Sequence, residues 1–163
     1  TDVVAEMTDG NFDAVFIAIG AHIGKKTDIP ARDASKILDA VTFLKDVELG
    51  NKPSIGRRVA IYGGGNTAMD AARTAKRLGA EEALIIYRRD REHMPAHDFE
   101  ADEALSEGIK IHWLTTIRDL DESTMTVERM GIVDGKPVPT GFPPPPVSAD
   151  RDRSSCCGLS FIA

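Results

Sequence analysis

The chain has 163 residues, 42% of them hydrophobic and 28% charged, with a formal net charge of −6. That length and mixture suit one globular domain with a sizeable core, and the acidic surplus argues against non-specific binding to nucleic acid or to an anionic membrane surface. The chain has no run of eighteen apolar residues to span a membrane, and its opening TDVVAEMTDG lacks the basic and apolar regions of a signal peptide, so a cytoplasmic protein is expected.

Val3 to Met7 reads as a first strand, followed by a TDGN turn and the apolar run FDAVFIAIG from Phe12 to Gly20. The second run suits a strand buried on both faces of a parallel sheet. Ile37, Val41, Leu44 and Val47 recur at three- and four-residue steps, which predicts a helix from Asp33, as N-cap, to Gly50. RVAIY, from Arg58 to Tyr62, reads as a strand, Asn66 to Leu78 as a helix stopped by Gly79, and Ala83 to Tyr87 as the next strand. Together they make one βαβ unit of roughly thirty residues. Asp98 to Glu107 predicts a short helix. Ile109 to Leu114 predicts a strand on which Ile109, Ile111 and Trp113 alternate with polar residues, which places Trp113 in the core. Thr124 to Val138 predicts a hairpin turning at Asp134-Gly135. From residue 140 a four-proline run, then charge and serine, predicts an irregular, poorly ordered tail. The expected fold class is α/β with a parallel, Rossmann-like sheet.

The stretch YGGGNTAMDAA carries Gly63-x-Gly65-x-x-Ala68 between a strand and a helix, the setting of a dinucleotide-binding turn. Gly63 permits the tight turn, Gly65 lets a pyrophosphate approach the backbone, and Ala68 lets helix and strand pack closely. The exposed N–H groups and the positive helix end favour an anion. Asn66 and Thr67 stand at the first helical turn, where they suit helix capping, phosphate hydrogen bonding, or both. The next strand ends in Arg88-Arg89 where an NAD enzyme usually carries an acid. Two guanidinium groups suit a 2′-phosphate. The other reading of this pair is a solvated basic patch, since Asp90 and Arg91 make charge dense nearby.

Chemistry beyond nucleotide binding finds little support. Glu100, Asp102 and Glu103 read as the solvated start of a helix rather than as an acid or base. His93, His97 and His112 have no metal-ligand spacing and read as surface or loop residues. Cys156 and Cys157 are adjacent and form no CxxC, so neither a thiol mechanism nor a metal cluster is expected. A short-chain dehydrogenase would want Tyr-x-x-x-Lys on a helix, whereas the only tyrosines, Tyr62 and Tyr87, fall on strands.

FDAVFIAIGA, FLKDVELG, RRVAIYGGGNTAMDAARTAKRLGA, IIYRRDREHMPA and EALSEGI together resemble the small (beta) subunit of NADPH-dependent glutamate synthase. They also resemble its relatives, among them the flavin-binding part of dihydropyrimidine dehydrogenase. The resemblance covers Val3 to Val138. It implies an NADPH domain inserted into an FAD domain, with Ala18, Ile19 and Gly20 at the second flavin motif. It also implies the turn Gly63, Gly64, Gly65, Asn66, Thr67, Ala68 on the NADPH pyrophosphate, and Arg88 and Arg89 on its 2′-phosphate. The first FAD fingerprint and the iron–sulfur cysteines of that family are absent, and the proline-rich tail stands where a later flavin motif belongs. Residues 1–30 are then a remnant of the FAD domain, 31–139 an NAD(P)H-binding domain, and 140–163 a tail, out of frame or chimaeric.

The function the resemblance implies is a flavoprotein oxidoreductase passing hydride from NADPH to FAD, with no catalytic side chain and no metal in this chain. The implied partner is a large glutamate synthase subunit or another electron-acceptor protein. The isolated fragment is expected to be inactive. The alternative is a nucleotide-binding or assembly module without catalysis. A flavin absorbance band would favour the enzyme.

Overall fold

The computed structural model describes residues 37–120, 125–141 and 159–162. The strands expected at Val3–Met7 and Phe12–Gly20, the Asp33 cap, the flavin-motif residues Ala18, Ile19 and Gly20, and both cysteines lie outside them. In chain order the elements are β1 (Ile37–Leu38), α1 (Ala40–Glu48), β2 (Arg58–Tyr62), α2 (Asn66–Arg77), β3 (Glu82–Ile86) and α3 (Asp98–Ser106). They continue with β4 (Lys110–His112), β5 (Thr115–Leu120), β6 (Met125–Val133), β7 (Lys136–Pro139) and β8 (Leu159–Ile162).

The fold is mixed α/β. A five-stranded sheet in the order β1-β8-β2-β3-β4 has only parallel pairs, and a second, antiparallel sheet runs β5-β6-β7. Strand alternation divides the core between two faces. Val59 and Ile61 on β2, and Ala83 and Ile85 on β3, point into a cluster with Phe43 of α1 and the buried alanines of α2. Their alternates Ala60, Leu84 and Ile86 point the other way, against Ile117 and Leu120 of β5. This double burial explains why β2 and β3 are almost uninterruptedly apolar. Ala68, Ala71, Ala72 and Ala75 line one face of α2, and all are buried. Small side chains at helical spacing bring this helix close over the sheet, which sets its N-terminus just beyond β2.

Several elements differ from the expected ones. The first helix begins at Ala40, because Asp39 Oδ1 accepts both Thr42 N–H and Thr42 Oγ1–H at 2.8 Å. That satisfies an otherwise orphaned amide, and Ile37 and Leu38 pair instead with β8. The tail expected to be irregular contributes β8, which lies between β1 and β2. Its Ile162 is fully buried in the main core. The strand expected over Ile109–Leu114 contracts to β4. Trp113 is half-buried and lies in the turn after it, where Leu114 takes a φ of +50°. His112 lies on β4, not in a loop, and burial first, then the charge of Lys110, lowers its pKa against the opposing pull of Glu82. The expected hairpin forms with Asp134 and Gly135 at φ values of +51° and +71°, the left-handed pair of a type I′ turn.

Candidate functional site

The carboxyl ends of β2 and β3 open into a cavity of about 220 Å³ lined by Tyr62, Gly63, Ile86, Tyr87 and Arg88. It joins the glycine turn to the start of the arginine pair, which are more than twenty residues apart in sequence but adjacent here because β2 pairs with β3 in register from Arg58–Glu82 to Tyr62–Ile86.

Each residue of the turn has a distinct surrounding. A Cβ built on Gly63 would touch the Ala68 Cβ at 3.4 Å, so two small residues set the approach of strand to helix. A Cβ on Gly64 would fall within 2.8 Å of Tyr87 Cγ and closer still to Cδ2 and Cε2. A Cβ on Gly65 would meet nothing within 4 Å. Gly65 is the N-cap of α2, with no side-chain cap and no acid in the first turn. Its carbonyl takes the amides of Ala68 and Met69. The amides of Asn66 and Thr67 have no acceptor among the described residues. Open space at Gly65 and uncapped N–H groups at a twelve-residue helix could together hold an anion.

Asn66 does not cap its own helix. Its side-chain oxygen accepts the N–H of His97 at 3.2 Å, which leaves the amide NH2 as a donor at the first turn. The Gly64 carbonyl accepts Ala96 N–H at 3.0 Å. The loop after β3 thus returns to the glycine turn. Thr67 is exposed and Ala68 buried.

Arg88 is exposed and Arg89 half-buried. Neither has a carboxylate partner among the described residues, and the Nε of Arg89 is buried without any hydrogen bond. Other arginines nearby are neutralised. Arg91 pairs with Asp98 and Asp102, and Arg73 with Glu103 and Glu107. Of the four carboxylates in the first two turns of α3, Asp98, Asp102 and Glu103 are therefore held in ion pairs, and Asp90 accepts from the His93 ring at 2.6 Å. Among the described residues no group of His, Cys, Asp and Glu could hold a metal. No described helix is long and apolar enough to cross a membrane.

Read from the sequence, Gly64 has no task apart from the turn as a whole, Tyr87 is only a strand residue and His93 only a surface or loop residue. Tyr87 is 8% exposed, stacks edge-on to Trp113 at 6.3 Å, and donates its hydroxyl to the His93 carbonyl at 2.8 Å. The signal available was an aromatic residue at a strand end facing a third, unexplained glycine.

The chain is similar to several known proteins. The chain is 43% identical over 116 residues to the NADP(+)-dependent formate dehydrogenase subunit beta of Moorella thermoacetica, an alignment covering 69% of this chain and 16% of that protein. It is 31% identical over 176 residues to a putative glutamate synthase [NADPH] small chain of Cereibacter sphaeroides, covering 99% and 42%. The chain thus spans less than half the length of these relatives. In fold it resembles the bacillithiol disulfide reductase of Bacillus cereus, with a TM-score of 0.50 at 17% identity over 85% of this chain and 35% of that one. The family model described as pyridine nucleotide-disulphide oxidoreductase matches residues 2–139. With that match across most of its length, the chain belongs to the pyridine nucleotide-disulphide oxidoreductase family.

Proposed function

We propose that this chain is the NADPH-binding part of a flavoprotein oxidoreductase that passes hydride from NADPH to FAD. The observation that carries the coenzyme choice is the pair Arg88 and Arg89, free of carboxylate partners among the described residues, with Arg88 lining the cavity at the glycine turn and Arg89 Nε buried without a hydrogen bond. Two guanidinium groups that no described carboxylate neutralises leave charged, forked donors for a 2′-phosphate. The cradle at Gly65 fits a pyrophosphate, with the Asn66 and Thr67 amides as donors. The residues present therefore fit NADPH. When bound there, NADPH would supply a hydride, and an FAD would supply the accepting chemistry. The work of this chain is to bind and orient, so no acid–base side chain is needed.

The flavin reading rests on the family, on the resemblance at Ala18, Ile19 and Gly20, and on residues 1–30 as part of an FAD domain around an NAD(P)H domain at 31–139. An electron-accepting partner such as a large glutamate synthase subunit follows from the same resemblance, and from relatives named as subunits.

Equilibrium binding of NADPH and NADH tests the coenzyme assignment. The double variant Arg88→Ala/Arg89→Ala should weaken NADPH by about 2–4 kcal/mol, from charge-assisted bonds of about 1.5–3 kcal/mol each with solvent screening. NADH should be little affected. Equal wild-type affinity for the two coenzymes, or NADPH binding indifferent to the double substitution, overturns the assignment.

A further inference from the structure

We propose that Tyr87 is a positioning residue for coenzyme selection: its hydroxyl closes the loop that carries Arg88 and Arg89 and fixes where the two guanidinium groups stand. This rests on the reading of that pair as 2′-phosphate ligands.

Tyr87 is held at every atom that could move it. Its N–H donates to the His112 carbonyl, and its carbonyl accepts Thr115 N–H. One ring face lies against Gly64, and the ring meets Trp113 edge-to-face at an interplanar angle of 81°. Phenylalanine would satisfy all of these contacts. The hydroxyl has a single partner, the main-chain carbonyl of His93 at 2.8 Å. Burial raises the phenol pKa, against the smaller pull of Arg89 and Arg88, so the group stays protonated and donates.

That bond ties residue 93 back to residue 87 and closes a seven-residue loop from Tyr87 to His93. Inside it, Asp90 Oδ1 accepts the His93 N–H at 3.1 Å, which tightens the turn. The Arg89 carbonyl accepts Leu114 N–H at 3.0 Å, from the corner where Leu114 has positive φ. Arg91 is drawn away to α3 by Asp98 and Asp102. Arg88 and Arg89 are left as the cations of the closed loop that no described carboxylate takes up. Without the hydroxyl, the ring still fills its place and the loop loses its closure. The expected effect therefore falls on recognition of the 2′-phosphate and spares the pyrophosphate cradle.

The test is coenzyme binding by the full 163-residue chain carrying Tyr87→Phe. NADPH affinity should fall about two- to tenfold while NADH affinity changes less than about twofold, the size expected for one neutral hydrogen bond lost. Trypsin should cut after Arg88 and Arg89 faster than in the wild type, which reports loop closure separately from binding. His93→Ala keeps the main-chain carbonyl and should keep the wild-type NADPH preference. A Tyr87→Phe chain with an unchanged NADPH:NADH ratio overturns the proposal, as does an equal loss for both coenzymes, which marks a merely structural residue. A wild-type chain without NADPH preference overturns the reading of the site, and this proposal with it.

Discussion

The ring of Tyr87 occupies the space where a side chain on Gly64 would stand, while Gly65, one residue on, faces open space. Gly64 is therefore required by what is present, whereas Gly65, on the proposed reading of the turn, is required by what would enter. Gly64→Ala should displace the buried ring and cost about 1–3 kcal/mol of stability, as overpacking does. Gly65→Ala has room and an ordinary φ of −94°, so its stability should stay within about 1 kcal/mol of wild type. Its methyl group would stand in the cradle, so dinucleotide binding should fall sharply. Thermal melts paired with NADPH titration check both. A large stability loss in Gly65→Ala, or normal binding by it, would refute the division of roles.

The orphaned Nε of Arg89 implies a trade between stability and binding. Replacing Arg89 by Met keeps much of the aliphatic bulk and removes a buried donor without a partner. The coenzyme-free chain should gain up to about 1 kcal/mol in a denaturant titration, and NADPH binding should weaken in the same protein. An Arg89→Met chain that is both less stable and unchanged in binding would show the arginine to be a structural residue.

What the sequence made legible follows from where several local signals coincide. Arg58 to Tyr62 was read with the observed bounds because an apolar run, a glycine stop and an alanine-rich helix agree there. The helical spacing starts the first helix too early because Ile37 fits it as well as it fits a strand, and only its pairing with Phe161 decides. β8 is four residues after a stretch of proline, charge and serine, and its membership in the sheet is set by neighbours more than ninety residues away. β5, TTIRDL, carries too few apolar residues to announce itself, yet Thr115, Ile117 and Leu120 are its buried ones, with a bulge between Ile117 and Asp119 breaking the alternation. At the site, residue types named the glycines and arginines. The closure of the arginine loop runs through a main-chain carbonyl, which any residue at 93 would supply, so nothing in the sequence marks it.

Glu82 predicts a pH dependence. Its carboxylate lies between Arg58 at 2.9 Å and Lys110 at 2.7 Å, bridging β2, β3 and β4. Burial pushes its pKa up, but the hydrogen bonds from Lys110 and Arg58, with their charges, outweigh that and lower it. A folded pKa below the unfolded one gives stability that is present above about pH 4.3, the ordinary glutamate value, and lost as pH falls through the folded value. Glu82→Gln should therefore be less stable than wild type by about 0.5–1 kcal/mol at pH 7. The gap should close below about pH 4. A difference that persists undiminished at pH 3 would assign the effect to packing instead of charge.

The outer edge of the second sheet is protected against association by its prolines. In the hairpin of β6 and β7, Val133 faces Lys136 across the two-residue turn, and Gly131 faces Val138. Thr140 continues the alternation, donating its N–H to Arg129 at 3.0 Å. The even-numbered residues of β7 thus turn their amides inward, and the amides that would face outward belong to Pro137 and Pro139, which have none. An edge strand without donors cannot template another strand, and this protection leaves the inward ladder intact. Pro137→Val/Pro139→Val would restore two outward N–H groups beside an exposed Val133. The variant should elute earlier than wild type on size exclusion as its concentration rises, with unchanged secondary structure by circular dichroism. Identical elution at every concentration would mean that the prolines serve the turn or the unfolded state, and that something other than missing donors keeps this edge unpaired.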